Sequence, residues 1–232
     1  MGKVNILLLT LNDCRNCIVD KADWINNLLI WFESNGRNLY WRNHDLNDFQ
    51  WLILEVLLRR SRAEKVSQLC PVFFNRYSTP SDIYGTDIEI LSNDIRTIGY
   101  YKRRATIIKD IAEKIIIDFH GVVPHDIDKL CTIKNIGIYI ANAFLCFKCN
   151  MPVPCVDTNI IRIFSRFYSI DVYGDNRIDT IIAAIVKELI PISDARKFNF
   201  ALLDLGGTIC KPQNPNCRVC PINCKCFNFI NN

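Results

Sequence analysis

The chain has 232 residues, half of them hydrophobic, and a net charge of +4 from 28 Lys plus Arg against 24 Asp plus Glu. That length buries a sizeable core in one globular unit or in two interlocked lobes, so the 12 cysteines are not the framework of a small disulfide scaffold. The opening apolar run from Ile6 to Leu11 is too short to span a bilayer, and no small-residue cleavage site follows it; the expected compartment is a reducing cytoplasm, where clustered cysteines point to metal.

Helical periodicity dominates and strand signals are scarce, so the expected class is all-α. "DWINNLLIWFES" sets Trp24, Leu28, Trp31 and Phe32 on one face. "FQWLILEVLLRRSRAEKVSQL" (49–69) reads as one long, mostly buried helix with a basic C-terminal half. Residues 89–119 read as two helices broken at Gly99. Two more, "DIDKLCTI" and "YIANAFLCFK", flank a short "KNIG" joint. "DTNIIRIFSRF", "RIDTIIAAIVKELI" (stopped at Pro191) and "DARKFNFALLDLGGTI" complete the series. The charge is modest, but "RRSRAEK" (59–65) and "YKRRA" (101–105) concentrate it.

The joint "LCTIKNIGIYIANAF" puts Gly137 and Asn135, the residues most tolerant of unusual backbone angles, between two helices. It reads either as an ordinary corner or as a hairpin whose N–H groups and helix N-terminus meet a phosphate. Eighteen positions after Tyr139, Asp157 precedes a new helix. As a plain N-cap it contributes about 1 kcal/mol; beside a DNA-binding hairpin the same carboxylate can stabilise a sugar cation. Glu55 interrupts an apolar helix between Leu54 and Val56, where an isolated carboxylate is costly and calls for a partner or a role.

Cys210-x6-Cys217-x2-Cys220-x5-Cys226, with Cys224 between the last two, lies in a segment kept out of helix by Pro212, Pro215 and Pro221. Thiolate-only ligation suits zinc or an iron–sulfur cube, and Cys224 competes with Cys226 as the fourth ligand. Cys146 and Cys149 fall in an apolar helical run and read as core; Cys14 and Cys17 form a further C-x2-C pair.

Taken together, the helices, the joint, Asp157 and the cysteine spacing resemble the helix-hairpin-helix DNA glycosylases with an iron–sulfur cluster, the endonuclease III superfamily, from about Trp24 to Cys226. The resemblance implies two helical lobes with the active-site cleft between them. One is a helical barrel over 43–151 carrying the hairpin. The other combines 1–42 with 152–232 and carries the cluster loop at 210–226. It implies a [4Fe–4S] cluster on Cys210, Cys217, Cys220 and Cys226, with Cys224 free. It also implies hairpin residues Lys134, Asn135, Ile136 and Gly137 on the DNA backbone, and a monomer acting in the cytoplasm, at the nucleoid, on double-stranded DNA with a mismatched or damaged base. The family's usual L-P-G-V-G reads I-K-N-I-G here, with Lys134 for the proline and Asn135 for the first glycine.

Endonuclease III carries a lysine two residues past the hairpin's last glycine and uses it to cut the strand through a Schiff base. This sequence has Tyr139 there, so the resemblance implies base excision with little or no lyase activity. Tyrosine at this position is shared by MutY-type adenine glycosylases and Mig-type thymine-mismatch glycosylases. The run Glu55-Val-Leu-Leu-Arg59-Arg60-Ser61 resembles the thymine enzymes' L-L-R-R-T rather than the adenine enzymes' M-L-Q-Q-T. Ala63 and Phe200 stand where adenine enzymes have valine and the glutamine of F-N-Q-A. Adenine enzymes usually add a C-terminal domain that reads 8-oxoguanine; this sequence runs six residues past Cys226.

The implied function is therefore hydrolysis of the N-glycosidic bond of thymine or uracil opposite guanine. The alternatives are an adenine glycosylase acting on A·G or A·8-oxoG and a non-catalytic DNA-binding module. Asp157 would stabilise the oxocarbenium ion or orient water. Tyr139 would hydrogen-bond the aspartate, sugar or phosphate, and Glu55 would fix the pocket or a water. Arg59 and Arg60 read either as groups that replace the flipped base or touch the opposite guanine, or as solvated helix-end charge. Ala63 and Phe200 would line the base pocket.

Overall fold

The computed structural model describes residues 21–170 and 178–231, so the Cys14/Cys17 pair lies outside the described residues. Every regular element among the described residues is helical. In chain order these are α1 (Lys21–Asn35), α2 (Tyr40–Asn43), α3 (Asp48–Leu58), α4 (Ala63–Arg76), α5 (Pro80–Gly85) and α6 (Ile88–Asp94). A 3-10 turn (Arg96–Ile98) leads into α7 (Tyr101–Phe119), followed by α8 (Ile127–Thr132) and α9 (Ile138–Phe147). Then come α10 (Thr158–Tyr168), α11 (Ile178–Leu189), α12 (Ala195–Thr208), two 3-10 turns and α13 (Phe227–Ile230). No described helix is long and apolar enough to cross a membrane.

The chain forms two compact units. One spans Asn38–Cys149; the other joins the described residues up to Arg37 with those from Asn150 onward.

In the Asn38–Cys149 unit, α3 is the buried central helix. Asn47 and Gln50 close a capping box at its start, with Gln50 N donating to Asn47 Oδ1 at 2.8 Å and Asn47 N to Gln50 Oε1 at 3.0 Å. Trp51 through Leu57 are then all buried. The single helix expected over 49–69 is instead two. A helix enclosed by core has nowhere to put Arg59, Arg60 and Arg62, so α3 stops at Leu58, Arg60 turns left-handed (φ 54°) and α4 restarts at Ala63. The carbonyl freed at Arg59 accepts from buried Arg104 at 2.5 Å, and Ser61 Oγ donates to Ile98 O at 3.1 Å. Helix α4 also runs past the expected end, through Pro71 to Arg76. Its apolar stripe of Val66, Cys70, Phe73 and Phe74 continues beyond the proline, and that burial outweighs a ring cost of about 3 kcal/mol. The break at Gly99 is as expected, with φ 73° there and Tyr100 left-handed beside it.

The other unit packs α1, α10 and α12 around Trp24, whose ring lies 6.0 Å from Phe164, 6.0 Å from Phe167 and 6.2 Å from Phe198. Leu28 shares this core, whereas Trp31 and Phe32 are only half-buried, so the expected four-residue face narrows to two. Just past α1, Arg37 fastens the segment to α12. Its backbone N and Nε donate to the two oxygens of Asp204 at 2.8 and 2.7 Å, and Asp204 is 0% exposed.

Candidate active site

The hairpin between α8 and α9 is a tight turn. Ile136 N donates to Ile133 O at 3.0 Å, which makes Lys134 and Asn135 the two central residues. Asn135 has φ 72°, the value a type II turn demands at its second central position, where glycine or asparagine is favoured. The turn thus explains why asparagine can stand at this position. Gly137, which the sequence marks as the flexible position, has φ −95° and caps α9 in ordinary extended geometry. A Cβ there would meet nothing within 4 Å, so its glycine leaves open approach to the helix N-terminus rather than relieving strain. Lys134 is 82% exposed and lies 3.6 Å from Asp110 of α7.

The hairpin does not stand alone. Asn135 lines one cavity with Arg59, Arg60, Arg103, Arg104 and Tyr100, and no carboxylate takes part in the lining. Burial pushes the Arg104 guanidinium below its usual pKa, and the charge of Arg59 adds to the effect. Three of the residues around this cavity, Arg60, Tyr100 and Asn135, are left-handed, a conformation that costs of order 1–3 kcal/mol per residue and that clusters at functional sites. In the sequence Arg59, Arg60 and Asn135 stand out separately. Tyr100, Arg103 and Arg104 join them only in the structure, although the "YKRRA" run carries the signal of the two arginines.

Glu55 is 3% exposed on α3. Tyr139 is half-buried in the first turn of α9, and Ala63 is half-buried at the start of α4. In the other unit, Phe200 is buried on α12 at 7% exposure.

Asp157 caps α10. Its Oδ1 accepts from the backbone N–H of Asn159 at 2.8 Å and of Ile160 at 2.9 Å. The second oxygen, Oδ2, accepts from Asn159 Nδ2 at 2.6 Å. Asn159 Oδ1 in turn accepts from Arg162 Nη2 at 2.7 Å. Arg162 then reaches α12 and the cysteine loop, donating to Gly206 O at 2.8 Å and, through Nε, to Cys210 O at 2.8 Å. Gly206 makes the arrangement possible, because a Cβ there would stand 2.6 Å from Asn159 Cβ. The cap reading of Asp157 is therefore true, and it does not exhaust the group: a carboxylate has about four acceptor sites, and three bonds leave one free. Asn159 and Arg162 have no sequence signature beyond ordinary helix residues; Gly206, a glycine inside a helix, carries a signal of close approach.

Cys210, Cys217, Cys220 and Cys226 line a second cavity, walled by Ile163, Phe167, Leu205 and Ile222; exposed Cys224 does not line it. Burial pushes the Cys220 thiol up to about 12, with Cys210, Cys226 and Cys217 adding to the rise against a backbone N–H of Ile222 that lowers it. Burial likewise raises Cys226, while the backbone amides of Phe229 and Asn228 pull it down. Four thiols in an apolar wall become thiolates only against a cationic centre that offsets the desolvation. Among the described residues no three of His, Cys, Asp and Glu are arranged to hold a single ion. The donor set fits a polynuclear iron–sulfur group whose own atoms fill the centre. Arg166 braces the loop, donating to Cys210 Sγ at 3.4 Å and to the carbonyls of Lys211 and Pro212 at 2.7 and 2.9 Å.

Residues 53–188 match the model of the HhH-GPD superfamily of base excision DNA repair proteins. The chain belongs to that superfamily. It is 28% identical over 203 residues to a thymine/uracil-DNA glycosylase of Methanothermobacter thermautotrophicus, covering 88% of this chain and 91% of that protein. It is 33% identical over 206 residues to an adenine DNA glycosylase of Mycobacterium tuberculosis, covering 85% of this chain and 65% of the relative's length. Among solved structures, a thermostable thymine-DNA glycosylase matches with TM-score 0.84 and 27% identity over 95% of this chain and 98% of that one. Endonuclease III trapped covalently on DNA matches with TM-score 0.78 and 25% identity over 96% of this chain and 98% of that one.

Proposed function

We propose that this protein is a monofunctional DNA glycosylase that removes thymine or uracil mispaired with guanine. The observation that carries the substrate reading is Phe200. It is apolar and buried at the position where, by the resemblance, MutY-type adenine glycosylases have the glutamine of F-N-Q-A, and a hydrophobic side chain cannot read adenine's hydrogen-bonding edge. Arg59-Arg60-Ser61, which resembles the thymine enzymes' L-L-R-R-T, and the TM-score of 0.84 to a thymine-DNA glycosylase support the same choice.

Chemistry on a stacked base requires extrusion of the nucleotide, which costs least for a mispair. The hairpin amides, Lys134 and the cavity of Arg59, Arg60 and Arg103 hold the duplex by its phosphates and by the unpaired guanine. As the glycosidic bond breaks, the base departs with the bonding electron pair and positive charge grows on the sugar. Asp157 stabilises that cation from its unoccupied acceptor position. Water then adds to C1′ and gives up a proton, leaving an abasic site. Tyr139 orients the sugar or phosphate and, lacking an amine, forms no Schiff base, so the strand stays intact. Glu55 fixes the pocket or a water. Ala63 and Phe200, each within its own unit, would contact the extruded base. Cys210, Cys217, Cys220 and Cys226 would hold a [4Fe–4S] cluster, which when bound ties the proline-rich loop into a fixed platform offering Lys211, Arg218 and Lys225 to phosphates.

Competition between G·T and A·8-oxoG duplexes in one reaction tests the substrate. Preferential release of thymine is expected. Preferential release of adenine would transfer the protein to the adenine class, and binding without release of either base would leave a non-catalytic module.

A further inference from the structure

The segment from Asn150 to Asp157 carries the proposed catalytic carboxylate but has no regular structure of its own. Pro152 and Pro154 fix their own φ angles and donate no hydrogen bonds. The clamp on this segment comes from α12. Asn199 is 0% exposed, and its side chain makes three bonds. Its Oδ1 accepts from Cys155 N at 3.1 Å, and its Nδ2 donates to Val153 O at 3.3 Å and to its own helix at Ala195 O, 2.9 Å. Val156 alone separates the clamped Cys155 from Asp157.

We infer that Asn199 is a positioning residue for the glycosylase reaction, setting through Cys155 and Val153 the point at which Asp157 meets the sugar. The inference rests on Asp157 as the group that faces the cation. A buried amide that served stability alone would satisfy any carbonyl within reach. This one bridges the helix bearing Phe200 to the strand of chain bearing Asp157, so it fixes the base pocket and the carboxylate to the same frame. Errors near 1 Å in such a frame cost on the order of a hundredfold in rate.

The test uses Asn199→Ala and Asn199→Asp in the full-length, iron-loaded protein, with single-turnover excision on saturating G·T duplex, mismatch affinity and melting measured in parallel. Asn199→Ala should bind duplex within about threefold of the parent yet excise tenfold to a hundredfold more slowly, at a temperature well below its melting point. Asn199→Asp keeps the acceptor for Cys155 N–H. Protonated, it regains a donor for one carbonyl; ionised, it faces two carbonyl oxygens. Its rate relative to the parent should therefore climb as the pH falls. A folded Asn199→Ala protein excising within threefold of the parent, or an Asn199→Asp/parent ratio flat with pH, overturns the inference while Asp157→Asn still inactivates. A parent that releases no base from any mismatch overturns the underlying reading as well.

Discussion

Asn159 donates its side-chain amide to Asp157 Oδ2 at 2.6 Å, while Arg162 fixes the orientation of that amide by holding its oxygen at 2.7 Å. This pairing changes what Asp157→Asn tests. Asparagine caps a helix as well as aspartate does, but here its NH2 would face the NH2 of Asn159. The single substitution should lower the melting temperature by a few degrees at most, since an unsatisfied donor costs about 1–3 kcal/mol when fully buried, less at this half-buried pair, and each kcal/mol is worth about 2–4 °C at this size. It should also slow excision on the order of 10²–10³-fold. The exchange Asp157→Asn with Asn159→Asp restores a donor–acceptor pair and leaves a carboxylate for Arg162. It should recover the melting temperature without recovering the rate. Full recovery of the rate would show that the charge at position 157 is not what the reaction needs.

Adjacent glycines on α12 should respond in opposite ways. Gly206→Ala drives a Cβ into Asn159, displacing the residue that orients Asp157, and should both destabilise the protein and slow excision. Gly207→Ala meets only the Arg37 guanidinium at 3.6 Å or more, on an exposed helix face, and should stabilise by up to about 1 kcal/mol with activity unchanged. Thermal melts and single-turnover rates on the two variants decide this.

The hairpin predicts a gain from the residue the family prefers. Asn135 occupies φ 72°, so Asn135→Gly should stabilise slightly and Asn135→Val should destabilise by about 1–2 kcal/mol while weakening duplex binding. Equal melting temperatures for the two variants would mean the turn is not left-handed in solution.

How much of this was legible beforehand depended on whether the signal was local. Helix starts and stops at Gly99, Pro191 and the cysteine loop were readable because each rests on residues within one turn. Thr79-Pro-Ser-Asp82, the capping box that starts α5, was equally local and was overlooked. The break after Leu58 is only half legible: the arginines that the core cannot take in stand in the sequence, but Arg104, which takes the Arg59 carbonyl, arrives from 45 residues away. The same limit hid the frame around Asp157. The aspartate was conspicuous as a cap, whereas Asn159, Arg162, Asn199 and Gly206 acquire their importance only from contacts between α10, α12 and the loops they bind.

The cysteine loop should hold iron. Purified protein should be brown. Cys224→Ser should keep its iron, since that thiol is exposed and away from the cavity, whereas Cys226→Ser should lose it. Arg162→Gln, which removes the bond to the Cys210 carbonyl, should reduce both iron occupancy and excision. Colourless, fully active protein with stoichiometric zinc would contradict the cluster.

Base release and strand cleavage can be followed in one assay. Under single-turnover conditions on a G·T or G·U duplex, the parent protein should release free thymine or uracil in step with intact abasic sites that break only on heating in alkali, and borohydride should trap little covalent complex. Tyr139→Lys should add strand cutting by placing an amine where the tyrosine stood. Strand breaks forming as fast as base release in the parent would make the protein a lyase, and an unaltered duplex after prolonged incubation would mean that it is no glycosylase on these mispairs.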